Sequence, residues 1–174
     1  DVQEFLKRMN KLDMGLFRLP TEAEWEYACR AGTTTAYHCG DDPAMLGEYA
    51  WYEANAEGKP HPVCGLKTNT LNLCDMHGNM WEWCSDWYGP YEDRRVTNPV
   101  GPATGRYHVL RGGGWKSPAA DCRSARRYVR VEGYFDDAAD VGIRLVREDR
   151  AAAGTEGEGE GEGEGEGENA RQAR

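Results

Sequence analysis

Helical periodicity in this chain stops at Gly32, and most of the sequence beyond it is broken into short pieces by glycine, proline and asparagine. Val2, Phe5, Leu6 and Met9 recur at helical spacing with Gly15 beyond them. An amphipathic helix over about residues 1–13, capped by that glycine, is therefore expected. A second helix is announced by Thr21, whose hydroxyl can take the amide of Glu24 while the Glu24 carboxylate reaches back to the Thr21 amide. Glu22 and Glu24 also suit the positive end of that helix. Ala23, Trp25, Tyr27 and Ala28 carry it to Arg30, and Gly32 ends it.

Past Gly32 the readable signals are strands. Trp81-Glu82-Trp83 alternates with period two, which places both indoles on one face and the carboxylate on the other. Tyr107–Leu110 and Gly142–Val146 read as two more strands. Twenty-two glycines and eight prolines in 174 residues agree with a loop-rich fold, and six Trp with nine Tyr supply material for one core. The Glu-Gly alternation from Glu156 to Glu168 can bury nothing and repels itself. Residues 149–174 are thus expected to be a solvated acidic linker or tail after a domain over 1–148. The net charge is −9, most of the excess lies in that tail, and no basic cluster suggests a nucleic-acid groove. No apolar run is long enough to span a bilayer.

Several segments, in order, resemble the formylglycine-generating-enzyme (sulfatase-modifying-factor) family. Phe17-Arg18-Leu19-Pro20-Thr21-Glu22-Ala23-Glu24-Trp25-Glu26-Tyr27-Ala28-Cys29-Arg30 is similar to its signature helix. Asp75-Met76-His77-Gly78-Asn79-Met80-Trp81-Glu82-Trp83 is similar to its second signature. Arg111-Gly112-Gly113-Gly114-Trp115, Cys122-Arg123-Ser124-Ala125-Arg126 and Val141-Gly142-Ile143-Arg144 resemble the closing third. The resemblance runs from the start to about Val146 and lacks the family's N-terminal strands, so the chain reads as a partial domain of a longer multidomain protein. It implies an α+β, C-type-lectin-like fold with two early helices, short antiparallel strands and much irregular backbone.

For chemistry, the resemblance implies oxidation of a sulfatase cysteine to formylglycine by two cysteines, copper(I) and dioxygen. Soft copper(I) requires thiolates. Counting on from Arg111, the first reactive position falls on Ser117, whose oxygen is a poor copper(I) ligand. The second falls on Cys122 by simple counting. After a short deletion, Cys122 instead matches a later structural cysteine, and this register, which leaves neither catalytic thiol, is preferred. It implies a Cys29–Cys122 disulfide, worth on the order of 4–5 kcal/mol in the chain-entropy model. Such a bond would favour an extracytoplasmic compartment, and two buried free thiols are the alternative. Cys39, Cys64, Cys74 and Cys84 form no C-x-x-C pair and read as buried or lone thiols.

The second signature implies a structural Ca²⁺ held by Asp75, Gly78, Met80 and Glu82, hard oxygens around a glycine-bearing turn. The alternative has Asp75 capping local amides and Glu82 meeting an arginine such as Arg111. Arg123, Arg126, Arg127 and Arg130 lie near the place where active members bind the substrate peptide. With Trp115, whose alternative is core packing, they could line a cleft for a peptide, protein or small anionic ligand. Pairing of the arginines with Asp121, Glu132, Asp136, Asp137 and Asp140 is the competing arrangement. The expected function is a catalytically inactive, calcium-stabilised binding or scaffold module. An active oxidase, with copper as its cofactor, is the alternative.

Overall fold

The computed structural model describes residues 2–12, 14–131 and 140–149. The Glu-Gly tail and the acidic and aromatic residues between 132 and 139 lie outside the described residues.

Helix α1, Val2–Met9, is shorter than expected and buries Leu6. It ends where Asn10 turns its amide onto the backbone of Phe17, donating to the Phe17 oxygen at 2.9 Å and accepting from its nitrogen at 2.6 Å. Gly15 is not the helix cap. Its φ of +110° leads the chain into strand β1, Leu16–Arg18. Helix α2, Glu22–Arg30, forms where the sequence places it: the Glu24 amide donates to Thr21 Oγ1 at 3.2 Å and the Thr21 amide to Glu24 Oε2 at 2.8 Å. The carboxylate of Glu24 also takes both guanidinium ends of Arg18 at 2.7 Å, which ties the helix start to β1.

Four strands make the main sheet in the order β4-β3-β2-β5: β2 is Trp81–Trp87, β3 Tyr107–Arg111, β4 Tyr128–Val131 and β5 Val141–Gly142. Adjacent pairs are antiparallel except β2–β5, which is parallel, so the expectation of antiparallel strands throughout is corrected there. The single strand expected over Gly142–Val146 is two. Val141–Gly142 joins β2, and β6, Val146–Glu148, pairs with β1 in a separate two-stranded sheet. Between the two sheets the chain leaves Arg144 free to turn onto Glu82 of β2.

Strand β2 is covered on both sides, so its alternation does not separate a wet face from a dry one. Trp81 stacks on Tyr128 with centroids 5.0 Å apart, while Glu82 on the opposite side is itself buried. One core cluster joins Trp25, Cys29, Met76, Cys84 and Val109 between α2 and the sheet. A second joins Tyr37, Leu46, Ala50 and Cys122 under the irregular half of the chain. The backbone of Gly78 passes so close to Trp51 that an added Cβ would stand 2.2 Å from the Trp51 carbonyl oxygen, and its φ is +71°. Glycine is required there on both counts.

Candidate functional site

The two positions where simple counting from Arg111 puts copper-binding sulfurs are both closed. Ser117 is buried, and its Oγ accepts a 2.9 Å hydrogen bond from the Gly114 amide while its own amide donates to the Gly114 carbonyl at 2.9 Å. The hydroxyl therefore clips a turn shut. Cys122 follows in the short 3₁₀ turn Ala119–Cys122, with its sulfur against the backbone of Gly113, where a Cβ would lie 2.6 Å away. The thiol is fully buried, and burial, aided by Asp121, pushes its pKa up to about 12. A thiol in that state supplies almost no thiolate at neutral pH.

The expected Cys29–Cys122 disulfide is corrected. Both sulfurs are free, and the disulfide joins Cys64 to Cys74. The two thiols belong to different core clusters, Cys29 with Trp25 and Met76 and Cys122 with Tyr37 and Leu46, and the imidazole of His77 touches both residues. Its Nδ1 lies 2.7 Å from the Cys122 carbonyl oxygen, and its ring nitrogens are 3.8 Å from Cys29 Sγ. The side chain that reaches Cys29 is Ser124, at 3.6 Å, two residues past Cys122. Burial pushes the Cys29 thiol up to about 12 as well.

Of the expected calcium ligands, Glu82 already has a cation beside it. Arg144, partly buried where the chain passes from β5 to β6, grips both oxygens of Glu82 at 2.8 and 2.9 Å. The Trp25 indole donates to the same carboxylate at 2.7 Å. The cation beside Glu82 is thus a guanidinium, and Glu82 takes Arg144 rather than Arg111 as its arginine. Asp75 follows the local alternative in part: its Oδ2 accepts from the Cys64 amide at 2.7 Å, and its Oδ1 is buried with no partner. Gly78 is bound through its amide to Gly112 O at 2.8 Å, and Met80 packs its side chain beside Gly142. In this structure Glu82 is thus already neutralised by a guanidinium, which a calcium ion at the expected site would have to share or displace.

Of the residues expected to line one cleft, Trp115, Arg123, Arg126 and Arg127 point to different places, and the Arg130 side chain lies outside those described. Arg126 pairs with Asp121 at 2.8 Å, as the competing arrangement anticipates, and Arg123 donates to the Ala120 carbonyl at 3.0 Å. Trp115 carries Lys116 over its ring at 4.6 Å. Arg127 lines a cavity beside α2, and it does so as part of a network that no spacing in the sequence suggests. Its guanidinium meets Glu22 at 2.6 and 2.8 Å and lies over Tyr88 and Tyr91, 4.4 and 4.2 Å from their centroids. Arg111, fully buried, lies over Trp25, contacts Glu26 and donates to the Arg126 carbonyl at 2.6 Å.

The cavity that this network borders has a volume of about 450 Å³ between α2 and the loops carrying Tyr91 and Pro99, with Tyr27, Pro90 and Pro102 in its walls. Glu22 is matched to Arg127 and Glu26 to Arg30 at 2.8 Å, and the buried Asp86 is held by the Glu22 amide, so what the cavity chiefly offers a ligand is aromatic and proline surface.

Comparison with known proteins agrees with this architecture. The sulfatase-modifying factor enzyme 1-like domain matches residues 1–149. The serine/threonine-protein kinase pkn1 of Chlamydia caviae is 44% identical over 117 residues, covering 64% of this chain and 18% of that protein. The formylglycine-generating enzyme of Streptomyces coelicolor is 34% identical over 153 residues, covering 79% of this chain and 49% of that enzyme. Among solved structures, Treponema denticola variable protein 1 superposes with a TM-score of 0.70 at 39% identity, over 75% of this chain and 47% of that one. The chain spans half or less of each of these relatives. With an α+β fold built on the capped helix Glu22–Arg30 and the strand Trp81–Trp87, and with the match running through residue 149, the chain belongs to the sulfatase-modifying factor enzyme 1-like domain family.

Proposed function

We propose that this domain is a non-catalytic binding or scaffold module built on the family's frame. The observation that carries the reading is the state of the two positions where copper would need sulfur. Ser117 offers a buried oxygen committed to the Gly114 amide, and Cys122 offers a thiol sealed against Gly113 with its pKa near 12. Neither suits soft copper(I), which takes thiolates. The scaffold needs no calcium at Glu82, because Arg144 supplies the compensating charge there. The cavity beside α2 is the surface we assign to a ligand. Its exposed tyrosines, Tyr27 and Tyr91, and its prolines favour a peptide with aromatic or proline side chains over an anion. In a longer protein, the Glu-Gly segment would act as a spacer that tethers this module to another.

The oxidase reading draws on the 34% identity to the Streptomyces coelicolor enzyme. Incubation of the chain with copper(I), dioxygen and a peptide bearing Cys-x-Pro-x-Arg separates the two. The module reading expects no aldehyde above the peptide-only background. Turnover to an aldehyde would sink it and restore the oxidase.

A further inference from the structure

The segment between Pro62 and Asp75 holds a group of side chains that the proposed function leaves unused. Cys64 and Cys74 are joined as a disulfide with their Cα atoms 5.1 Å apart, and the Asp75 carboxylate lies with them, all three potential ligand atoms within 4.8 Å of one another. Asp75 is more than nine-tenths buried. Its Oδ2 is fixed by the Cys64 amide, while Oδ1 is buried with no hydrogen-bond partner. A buried carboxylate oxygen without a donor is costly, and a cation is one of the few things that relieve it. The backbone beside it is held from a second side. Arg144 Nη2 donates to the Cys74 carbonyl at 2.9 Å, so the backbone at Cys74 is pinned to the same guanidinium that holds Glu82.

We propose that Cys64, Cys74 and Asp75 form a zinc site in the reduced chain, and that oxidation to the Cys64–Cys74 disulfide releases the ion. The oxidation is exchange with a small-molecule disulfide, which takes the two electrons and two protons and leaves as two thiols. Reduction by a dithiol transfers two electrons and two protons to the disulfide, giving two thiols and leaving the dithiol as its own disulfide. Binding of Zn²⁺ then displaces the two thiol protons to solvent, and the metal takes two Sγ atoms and Asp75 Oδ1. Around a tetrahedral zinc with Zn–S bonds of about 2.3 Å the sulfurs stand roughly 3.8 Å apart. Two cysteines with α-carbons this close reach that separation by side-chain rotation alone. The fourth position falls to a water, and Cys64 is exposed, so reductant and metal have a way in. Sulfur ligands and a borderline metal set this site apart from an all-oxygen calcium cage.

Cobalt(II) is the probe, because thiolate ligands give it an intense charge-transfer band. The full chain is reduced, freed of reductant and titrated anaerobically with Co²⁺, then with Zn²⁺. The expected result is one Co²⁺ per chain with a sulfur-to-cobalt band, bleached by one equivalent of Zn²⁺, and no band from chain whose disulfide is intact. Cys74→Ser and Cys64→Ser should each abolish the band, and Asp75→Asn should weaken Co²⁺ binding by about tenfold or more, with circular dichroism confirming that each variant is folded. A reduced wild type that gives no band overturns the site. So does a band that survives in both cysteine variants, which would assign it to other thiols.

Discussion

The imidazole of His77 is held between two backbone groups, with Nδ1 2.7 Å from the Cys122 carbonyl oxygen and Nε2 3.1 Å from the His38 amide nitrogen. The partners dictate the tautomer. The carbonyl can only accept, so Nδ1 carries the proton, and the amide can only donate, so Nε2 must be bare. A second proton on Nε2 would face the His38 N–H in a fully buried site. Burial, with the stacked His38 ring adding to it, holds the His77 pKa down to about 3 against an ordinary 6.5.

That depression sets the sign of the pH dependence. Between pH 6.5 and about 3 the unfolded chain binds a proton at His77 that the folded chain refuses, so stability is fully present above 6.5 and falls as the pH drops through that window. One such group contributes a slope of at most about 1.4 kcal/mol per pH unit. Urea melts from pH 7 to pH 5 should show stability declining toward acid. A His77→Gln variant, less stable at pH 7, should show a flatter profile over the same range. Equal slopes in the two proteins would mean that His77 is not the group responsible.

Gly78 and Gly58 share a φ of +71° but not a neighbourhood. An added Cβ at Gly78 meets the Trp51 carbonyl at 2.2 Å, whereas at Gly58 nothing lies within 4 Å. Gly58→Ala should therefore cost only the left-handed backbone penalty, about 1 kcal/mol. Gly78→Ala must also displace the bridge to Trp51 and should cost about 3 kcal/mol or more. Thermal melts of the two variants measure the difference. Comparable losses at both sites would show that the Trp51 approach is not tight in solution.

The parts of this fold that are legible in the sequence are those set by near neighbours. The Thr21–Glu24 capping box is spelled within four residues, and helix α2 stands where that box puts it. The Trp81-Glu82-Trp83 alternation marks β2 correctly, but it cannot say that both faces are covered. The partners of buried charges come from far along the chain: Arg111 meets Glu26 across 85 positions and Arg144 meets Glu82 across 62. No local pattern specifies which arginine arrives, so the sequence leaves Glu82 open to a calcium ion or to Arg111. The Cys64–Cys74 bond escapes a sequence reading because a separation of ten residues belongs to no metal or redox spacing motif, and only the turns between them bring the sulfurs together. Nothing near His77 in the sequence marks its role, yet in the fold it contacts both the Cys29 sulfur and the Cys122 carbonyl.

Arg144 is the residue on which the state of Glu82 depends. Replacing it by methionine leaves a carboxylate, about nine-tenths buried, with the Trp25 N–H and no counter-charge, which should cost about 3–5 kcal/mol. Adding Glu82→Gln to that background should recover part of the loss, because the orphaned charge is removed with its partner. Calcium provides the second arm. In the wild type, Ca²⁺ against chelator should leave Tm unchanged, whereas in Arg144→Met the freed carboxylate gives Ca²⁺ something to bind and Tm should rise. A calcium-dependent rise in the wild type would show that Glu82 leaves its arginine for the ion.

The thiols give the sharpest check on the inactive reading, because the four free cysteines differ in access rather than in chemistry. Cys29, Cys84 and Cys122 are fully buried and burial raises each of their pKa values, whereas Cys39 is only partly covered. Iodoacetamide attacks thiolates, so the sealed groups are protected twice, by exclusion of the reagent and by the absence of the anion. Without reductant at neutral pH, the native chain should take up label at Cys39 alone, and slowly, since burial raises that thiol's pKa too. In denaturant the same protein should take up four labels, with Cys64 and Cys74 left unmodified by their disulfide. Peptide mapping by mass spectrometry assigns each adduct. Rapid labelling of Cys122 in the folded chain would reveal a nucleophilic thiol at the position where a copper-binding sulfur could stand, and the case for a purely binding module would fail at its central residue.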